Sequence, residues 1–346
     1  MTIIYFFLIL GVIVFIHELG HFIFAKKAGI YVYEFSIGMG PSIYKFKRKN
    51  DETKYSIRLL PIGGYVQMAG EEIEVDENIP KDMRIQSKTW TQRFLTIVAG
   101  VIFNFVLAII LFIIIGLVEG VPNNKPYIAE VDKNLPAYQT GLAKGDLILA
   151  INNKKIKTND QLLIQLEIYK GEKIDFKIQK KNGTIEKYTV EPKLVEEEGV
   201  KSYKYGFSPD FTIEKGFFKS IKYGFQKTYS YIVQIVEVIG YLITGKLDFN
   251  SLSGPIGIYS VVGESAKAGF MTIVFLIAFM SVNVGVVNLI PFPAFDGGRL
   301  LFLVIEKIRR KPVDPKIENI IHSVGFFLLM VLIIAITYND IIKIFR

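Results

Sequence analysis

The sequence predicts a membrane protein with four transmembrane helices and, inserted between the second and third of them, an extracytoplasmic β-rich domain of the α+β kind. Of the 346 residues, 51% are hydrophobic and 21% are charged, whereas soluble domains average about 25% charged residues. Mean hydropathy is +0.35. Four apolar runs approach the length of about 20 residues that crosses a bilayer. Residues 122–193, in contrast, contain strand-like runs and a hairpin signal.

The predicted spans cover residues 3–25, 94–118, 270–295 and 320–338. The first span has no basic segment before it and no small-residue cleavage site, so we expect a retained helix rather than a signal peptide. It differs from the other spans because three ionisable residues, His17, Glu18 and His21, lie in its second half. Ionisable groups within a span are costly and mark functional sites.

The distribution of basic residues predicts the orientation. Residues 26–93 contain twelve Lys and Arg residues, and Lys307, Arg309, Arg310 and Lys311 follow the third span. Both segments therefore belong in the cytoplasm, and residues 119–269 belong outside. Residues 217–243 have an amphipathic helical pattern, which favours a helix lying in the membrane interface. A fifth span there would place Asp296 on the opposite side from the histidines.

Four segments follow from this topology: 1–121 with the first two spans, a soluble domain at 122–193, a connector at 194–269, and 270–346 with the last two spans. In the domain we expect strands at 127–131 and 147–152, and a helix at 159–169 capped by Asn159. Asn182-Gly183 between 173–180 and 185–191 predicts a hairpin. The run from Pro136 to Asn152, with Gly141-Leu142 and Gly145-Asp146, resembles bacterial PDZ domains.

Composition excludes several classes of function. The chain has no cysteine, so disulfides, thiolate metal sites and cysteine nucleophiles are absent. The net charge of +8 is spread along the sequence without a basic block, which argues against nucleic acid as a partner. A bound metal must therefore use His, Asp or Glu, and the chain has three histidines.

His17-Glu18-Leu19-Gly20-His21 matches the H-E-x-x-H pattern. Residues four apart share one face of a helix, so both imidazoles can bind one zinc ion while Glu18 serves as general base toward water. The alternative is a satisfied polar cluster or a proton relay between helices.

A catalytic zinc ion needs a third protein ligand. His322 lies at the start of the last span, where we expect an interfacial residue, and Asp296 is the better candidate. Pro291 and Pro293 remove backbone donors and break the helix before it. Gly297-Gly298 then permits a sharp turn that aims the carboxylate.

H-E-L-G-H in a first span, N-x-x-P-x-P-x-x-D-G in a later span and a PDZ-like domain between them resemble the site-2 protease family. The likeness is greatest to its RseP-type regulators of sigma-factor signalling, and it includes Asn104 in the second span and the run from Ser251 to Ile256. It implies a site-2 protease-like core that hydrolyses peptide bonds within the membrane. The ligands of one Zn²⁺ per chain would be His17, His21 and Asp296, with Glu18 as the base and Asn288, Pro291 and Pro293 beside the substrate. Two departures are the single PDZ-like domain and Arg299 in place of a histidine.

The strand-like sequence between the first two spans is interrupted by glycines, namely Gly38, Gly40, Gly63 and Gly64. Tyr65 follows the last of them. The family likeness implies a membrane-re-entrant β-hairpin here. A sheet edge at this place could pair with a substrate whose helix has been unwound, since a helical peptide bond is shielded from attack. The alternative is an ordinary cytoplasmic loop with turn glycines.

The function expected is regulated intramembrane proteolysis in a bacterial plasma membrane, with the active site near the cytoplasm. Substrates would be single-span membrane proteins, such as anti-sigma factors or signal-peptide remnants, already shortened outside by a site-1 protease. The PDZ-like domain would either bind peptide C-termini or block access. The alternatives are a divalent-metal transporter or metal sensor with a PDZ scaffold, and an inactive scaffold.

Overall fold

The structure is a computed structural model, and it describes residues 1–71, 79–197, 200–247 and 253–344. Ser251 and Leu252 of the family motif lie outside these ranges. The chain divides into two compact units. The membrane unit comprises Met1–Ile115, Gly224–Ile235 and Asp248–Arg346, and the β unit comprises Gly116–Tyr223 and Val236–Leu247.

The helices in the described residues are α1 (Thr2–Lys27), α2 (Trp90–Val118), α3 (Pro136–Gln139), α4 (Asn159–Ile168), α5 (Phe217–Ile243), α6 (Pro255–Ala268), α7 (Phe270–Leu289), α8 (Asp296–Arg309) and α9 (Pro315–Ile344). Four of them, α1, α2, α7 and α9, are long and apolar enough to cross a membrane. They coincide with the four predicted spans. Helix α9 exposes Phe326, Phe327 and Ile334 by 58 to 66%, a surface that lipid tails would cover.

Helix α7 ends at Leu289, six residues before the predicted end of the third span. The loop at 290–295 contains both prolines, and α8 begins at Asp296. The predicted helix break is therefore present. The predicted turn at Gly297-Gly298 is wrong, because both glycines lie in the first turn of α8 and the positive φ belongs to Ala294.

Helix α1 packs on α6 and α7 through a small apolar core. Ile9 and Ile13 are fully buried against Val262, Ile273 and Leu276. The sequence predicts no helix at α6, since its apolar run is short and contains charged residues.

The segment between α1 and α2 forms two long strands, β1 (Val32–Lys47) and β2 (Lys54–Met68), which pair with each other. Both are bent at glycines with positive φ, of which Gly38 has +87° and Gly63 +77°. As a result, residues 34–37 pair on one side with 64–67 and on the other with 54–57. The prediction of a simple hairpin is therefore incomplete, because it does not include this second pairing. Residues 64–68 form one edge of this folded sheet.

Within the membrane unit, α5 buries several polar side chains and exposes several aromatic ones. Thr228 and Gln234 are buried, whereas Phe225 is 57% and Tyr229 69% exposed. The ring of Tyr231 lies 5.1 Å from that of Phe279 in α7. This orientation suits a helix whose outer face contacts lipid, and its interfacial location stays a prediction.

The strands of the β unit are β3 (Val121–Pro122), β4 (Ile128–Val131), β5 (Leu147–Ile151), β6 (Lys154–Lys155), β7 (Ile174–Gln179), β8 (Ile185–Val190), β9 (Lys193–Glu197), β10 (Val200–Lys204), β11 (Phe207–Pro209) and β12 (Ile213–Glu214). The sheet has the order β6-β5-β7-β8, and three further pairs are β4 with β11, β3 with β12 and β9 with β10. Ile148, Phe176 and Ile178 are fully buried in its core.

Two predictions for the β unit need correction. The domain does not end at 193, because β11 pairs with β4 and Tyr205 belongs to the core. A three-residue strand is too short to produce a period-2 signal. The cap of α4 is Thr158, whose hydroxyl accepts a hydrogen bond from the Gln161 N–H. Asn159 instead donates from its amide to the Asn123 and Asp210 carbonyls.

Candidate metal centre

His17 and His21 on α1 and Asp296 at the start of α8 converge on one point. Nε2 of His17 lies 3.1 Å from Oδ2 of Asp296, Nε2 of His21 lies 3.3 Å from the same oxygen, and the two nitrogens are 3.2 Å apart. Zinc–ligand bonds of about 2.0 to 2.1 Å at tetrahedral angles separate ligand atoms by about 3.3 to 3.4 Å. The triangle therefore has nearly the size that one zinc ion requires.

The proton positions in this triangle favour a cation at its centre. Nδ1 of His21 lies 2.9 Å from the Thr96 carbonyl oxygen, which can only accept, so this nitrogen carries the proton. When this ring is neutral, the lone pair of Nε2 points toward the centre of the triangle. Oδ2 of Asp296 is buried without a hydrogen bond from the described residues. Electron pairs facing one another in a buried site are stabilised by a positive ion.

Three residues of α2, each four apart, form the surface that receives the histidine pair. The Thr96 carbonyl orients His21, and the side-chain amide of Asn104 lies 3.2 Å from Nδ1 of His17. Gly100 lies between them, where an added Cβ would approach Nε2 of His21 to 2.4 Å. The Asn104 atom nearest His17 Nδ1 is the amide nitrogen, and Oδ1 is buried without a hydrogen bond among the described residues. Turning the amide over would let Oδ1 accept a hydrogen bond from the Nδ1–H, which would leave Nε2 of His17 free for a metal.

Asp296 reaches the histidines through a tightly packed loop. An added Cβ on Gly297 would lie 2.2 Å from the Ile290 carbonyl oxygen, and one on Gly298 would lie 2.5 Å from that of Phe292. The glycine pair thus permits close contact between α8 and the loop, rather than a turn. The turn itself is made at Ala294, whose φ is +88°.

Ion pairs hold α8 in place. Arg93 on α2 pairs with Glu306 at 2.9 Å, and the Trp90 indole N–H donates to the Leu303 carbonyl at 2.9 Å. Nearer the metal centre, Arg299 forms an ion pair with Glu71. Glu71 also accepts a hydrogen bond from the Met68 N–H at the end of β2. Helix α8 is therefore tied both to α2 and to the folded sheet.

A cavity of about 570 Å³ opens onto His17, His21 and Asp296. Glu18, Tyr65 and Asn288 line it. Gly64 follows a bend in β2, and an added Cβ there would lie 3.6 Å from Cγ of Glu18. The structure thus brings together the predicted ligands, the predicted base and part of the predicted substrate site.

The other predicted substrate residues lie apart from this cavity. Gly38, Gly40 and Gly63 occupy the bends of the sheet, and Pro291 and Pro293 lie in the loop before α8. None of these five is among the described residues that line the cavity. Their predicted contact with substrate therefore stays a prediction.

Sequence reasoning missed several residues around the centre. Asn104 is part of the family likeness, but nothing in the sequence assigns it or Gly100 to the histidines. Glu71 and His322 contact the elements that surround the site, from positions distant in sequence. The sequence signal for this surface of α2 was the four-residue spacing of Gly100 and Asn104 within an apolar span.

Comparison with known proteins agrees with this geometry. The family model described as peptidase family M50 matches residues 5–332. The chain is 36% identical to the zinc metalloprotease RasP of Geobacillus kaustophilus, over 99% of this chain and 98% of that protein. It is 33% identical to the regulator of sigma-W protease RasP of Bacillus subtilis, over 99% of both. A putative zinc metalloprotease of Clostridium acetobutylicum is 39% identical over 96% and 95%.

Solved structures that resemble the chain include the PDZ domain of an SdrC-like protein from Listeria innocua. That domain is 19% identical over 25% of this chain and 93% of its own length, with a TM-score of 0.22. A PDZ domain from Listeria monocytogenes gives 20% identity and the same TM-score.

Proposed function

The chain belongs to peptidase family M50 and is an intramembrane zinc metalloprotease; from this premise we propose that His17, His21 and Asp296 hold one zinc ion and that Glu18 is the general base. The observation that carries this assignment is the triangle of ligand atoms with edges of 3.1 to 3.3 Å. Among the described residues, these three are the one group of His, Asp and Glu side chains with suitable spacing.

The chain's own residues account for the proton transfers of hydrolysis. When bound, zinc supplies Lewis-acid chemistry, which polarises a carbonyl and lowers the pKa of water to about 7. Glu18 lines the same cavity as the ligands, so its carboxylate can accept a proton from the attacking water. It then returns that proton to the amine of the departing peptide. The Thr96 carbonyl and Asn104 hold the imidazoles throughout.

The substrate enters as an extended chain beside the sheet. A peptide bond within a helix is shielded by its neighbours, so cleavage requires local unwinding. The edge formed by residues 64–68 offers backbone donors and acceptors for such a strand, and Tyr65 to Met68 line the cavity. Asn288, which also lines the cavity, can bind the backbone of the same chain.

The substrates proposed are single-span membrane proteins, shortened outside by a site-1 protease before they reach this enzyme. The name of the Bacillus subtilis relative, regulator of sigma-W protease, supports anti-sigma factors as one class, and signal-peptide remnants are another. The enzyme would lie in a bacterial plasma membrane with the β unit outside. The folded sheet would re-enter the membrane from the cytoplasm, consistent with exposed apolar residues such as Ile43 and Leu59 near its bends.

The β unit has a groove that supports binding of an extended peptide. A cavity of about 590 Å³ lies between α4 and β11, lined by Leu163, Leu166, Gly206 and Phe207. Burial raises the pKa of Tyr205 to about 12, so its hydroxyl stays protonated and donates to the Tyr169 carbonyl behind the groove. A PDZ-like domain binds by strand addition. Saturable binding of labelled peptides to the full chain would support this role. Absence of binding would favour a barrier that only excludes large proteins.

The metal transporter is not favoured. Transport requires several ligand-bearing positions along a path, whereas the described residues contain one such group. The relatives are named as proteases.

The test uses purified protein in detergent with a tagged single-span substrate truncated on its outer side. Wild-type protein is expected to cleave it and to contain about one zinc ion per chain. Glu18→Gln keeps the size of the side chain and all three ligands, so it should retain zinc while cleavage falls by about 10²-fold or more. Undiminished cleavage by Glu18→Gln would reject the mechanism. Metal flux into liposomes without cleavage would support the transporter.

A further inference from the structure

The loop that carries Asp296 to the histidines contains a strained residue. Ala294 has a φ of +88°, a conformation that residues with a Cβ adopt only when the surroundings hold them there. It lies two residues before Asp296 and lines the metal cavity. If Ala294 relaxed to negative φ, the direction of the following backbone would change and the carboxylate would leave the triangle.

Helix α9 contacts this loop at two positions on one face. Nδ1 of His322 accepts a hydrogen bond of 3.2 Å from the Ala294 N–H. Three residues later, Gly325 meets Pro293 so closely that an added Cβ would lie 2.7 Å from the Pro293 carbonyl oxygen. Residues three apart are neighbours on a helix surface, so α9 presents one small patch to the strained turn.

The surroundings of His322 set its hydrogen-bonding state. Because Nδ1 accepts from a backbone N–H, the proton of the neutral ring must be on Nε2. Nε2 is buried without a hydrogen bond among the described residues, and Oε1 of Glu318 is 3.9 Å away. The ring of Phe302 lies 5.6 Å from the imidazole. The contact with Ala294 is therefore the hydrogen bond that the structure gives this side chain.

We propose that His322 is a positioning residue: it holds Ala294 in the left-handed conformation and thereby keeps Asp296 at the metal centre. This inference rests on the proposed function. It also gives the third histidine of the chain a role other than metal ligand or interfacial residue. His322 acts through the loop, since its hydrogen bond is to the backbone of Ala294 and its ring is not among the cavity-lining groups.

The test compares two substitutions at His322 in two backgrounds. His322→Asn keeps an acceptor close to the position of Nδ1, whereas His322→Leu keeps much of the volume and removes the acceptor. Ala294→Gly removes the steric cost of positive φ at the turn. Each single and double variant is assayed for zinc affinity by competition with a chelator, for kcat and KM, and for thermal unfolding in detergent.

His322→Leu is expected to weaken zinc binding about tenfold, since Ala294 loses the hydrogen bond that holds it at positive φ, and to lower kcat more than it raises KM. His322→Asn should recover most of this loss. In the Ala294→Gly background, His322→Leu should weaken zinc binding by about threefold or less. Glycine adopts positive φ without strain, so the turn no longer needs the hydrogen bond to residue 322.

Three outcomes would overturn the inference: unchanged zinc affinity in His322→Leu, equal losses for the Asn and Leu variants, or the same loss in both Ala294 backgrounds. A fall in unfolding temperature without a change in zinc affinity would indicate a purely structural contact and would also overturn it. Failure of the proposed function gives a different result, namely wild-type protein that binds no zinc or does not cleave.

Discussion

Helix α1 and the loop at 290–295 both bring side chains of the proposed metal site to the same triangle, but they position them in different ways. On α1, the four-residue spacing of His17 and His21 places both imidazoles on one face before any tertiary contact forms. The loop contributes Asp296 only after two prolines, a strained Ala294 and close packing on α9 have fixed its path. One arrangement is local, and the other depends on packing between distant segments.

This difference determines what each part requires from its neighbours. The histidine pair needs space and orientation, which α2 provides through Gly100, Asn104 and the Thr96 carbonyl. Asp296 needs its whole backbone path to be held, which involves α8, α9 and the folded sheet. Substitutions near α1 should therefore act by steric conflict, and substitutions near the loop should act by releasing the backbone.

The largest effect is expected from Asp296→Asn, which removes the charged ligand from the loop side of the triangle. We expect loss of bound zinc and of cleavage together, because a neutral amide is a poor substitute for a carboxylate ligand. Metal analysis and the single-span cleavage assay measure this. Full zinc retention would show that another residue completes the site and that the loop does not deliver a ligand.

A smaller but still substantial effect is expected from Gly100→Ala on the α1 side. The added methyl would lie 2.4 Å from Nε2 of His21 and 2.8 Å from Cε1 of His17, so both imidazoles must shift. Zinc affinity should fall by about 10- to 100-fold, the range seen when groups that orient metal ligands are altered. The control is Gly240→Ala in α5, where an added Cβ has nothing within 4 Å. Equal zinc affinities of Gly100→Ala and Gly240→Ala would contradict the proposed fit between α1 and α2.

The smallest effect is expected at the ion pair between Glu71 and Arg299, which ties the folded sheet to α8. Arg299 is 42% exposed, and exposed pairs contribute about 1 kcal/mol or less, so Arg299→Ala should lower kcat/KM by about threefold. Exchanging the charges in Glu71→Arg with Arg299→Glu should restore part of the activity. The control is Lys219→Ala, which breaks an ion pair with Glu214. Both of those side chains are more than half exposed, so kcat/KM should not change. A loss for Arg299→Ala no larger than for Lys219→Ala would show that this tie does not support the site.

The elements that the sequence predicts well are those with a local signal. The spans follow from apolar length, and the strands β7 and β8 follow from alternation around Asn182-Gly183, where Gly183 has the positive φ a hairpin turn needs. Elements without such a signal were missed, including α6 and the three-residue strand β11. The bent sheet was predicted only as a hairpin, because pairing of residues 34–37 on both sides is a long-range event.

The candidate site divides in the same way. His17, Glu18 and His21 are recognisable from five consecutive residues, and the prolines before Asp296 indicate a broken helix. The conformation of that break was predicted incorrectly, since the glycine pair suggested a turn where the structure has close packing. His322 and Glu71 could not have been assigned, because their contacts join segments separated by 28 and 228 residues.

By itself, the sequence determined the four spans, the helical spacing of the histidine pair and the restriction of metal ligands to His, Asp and Glu. These properties depend on composition, on the length of apolar runs and on a spacing of about one helical turn, which are present before the chain folds. Only the tertiary structure decided that Asp296 meets the histidines, that α2 orients both imidazoles and that α9 holds the strained turn. The physical reason is that such contacts depend on close packing between distant segments, and no local pattern of residues specifies that packing.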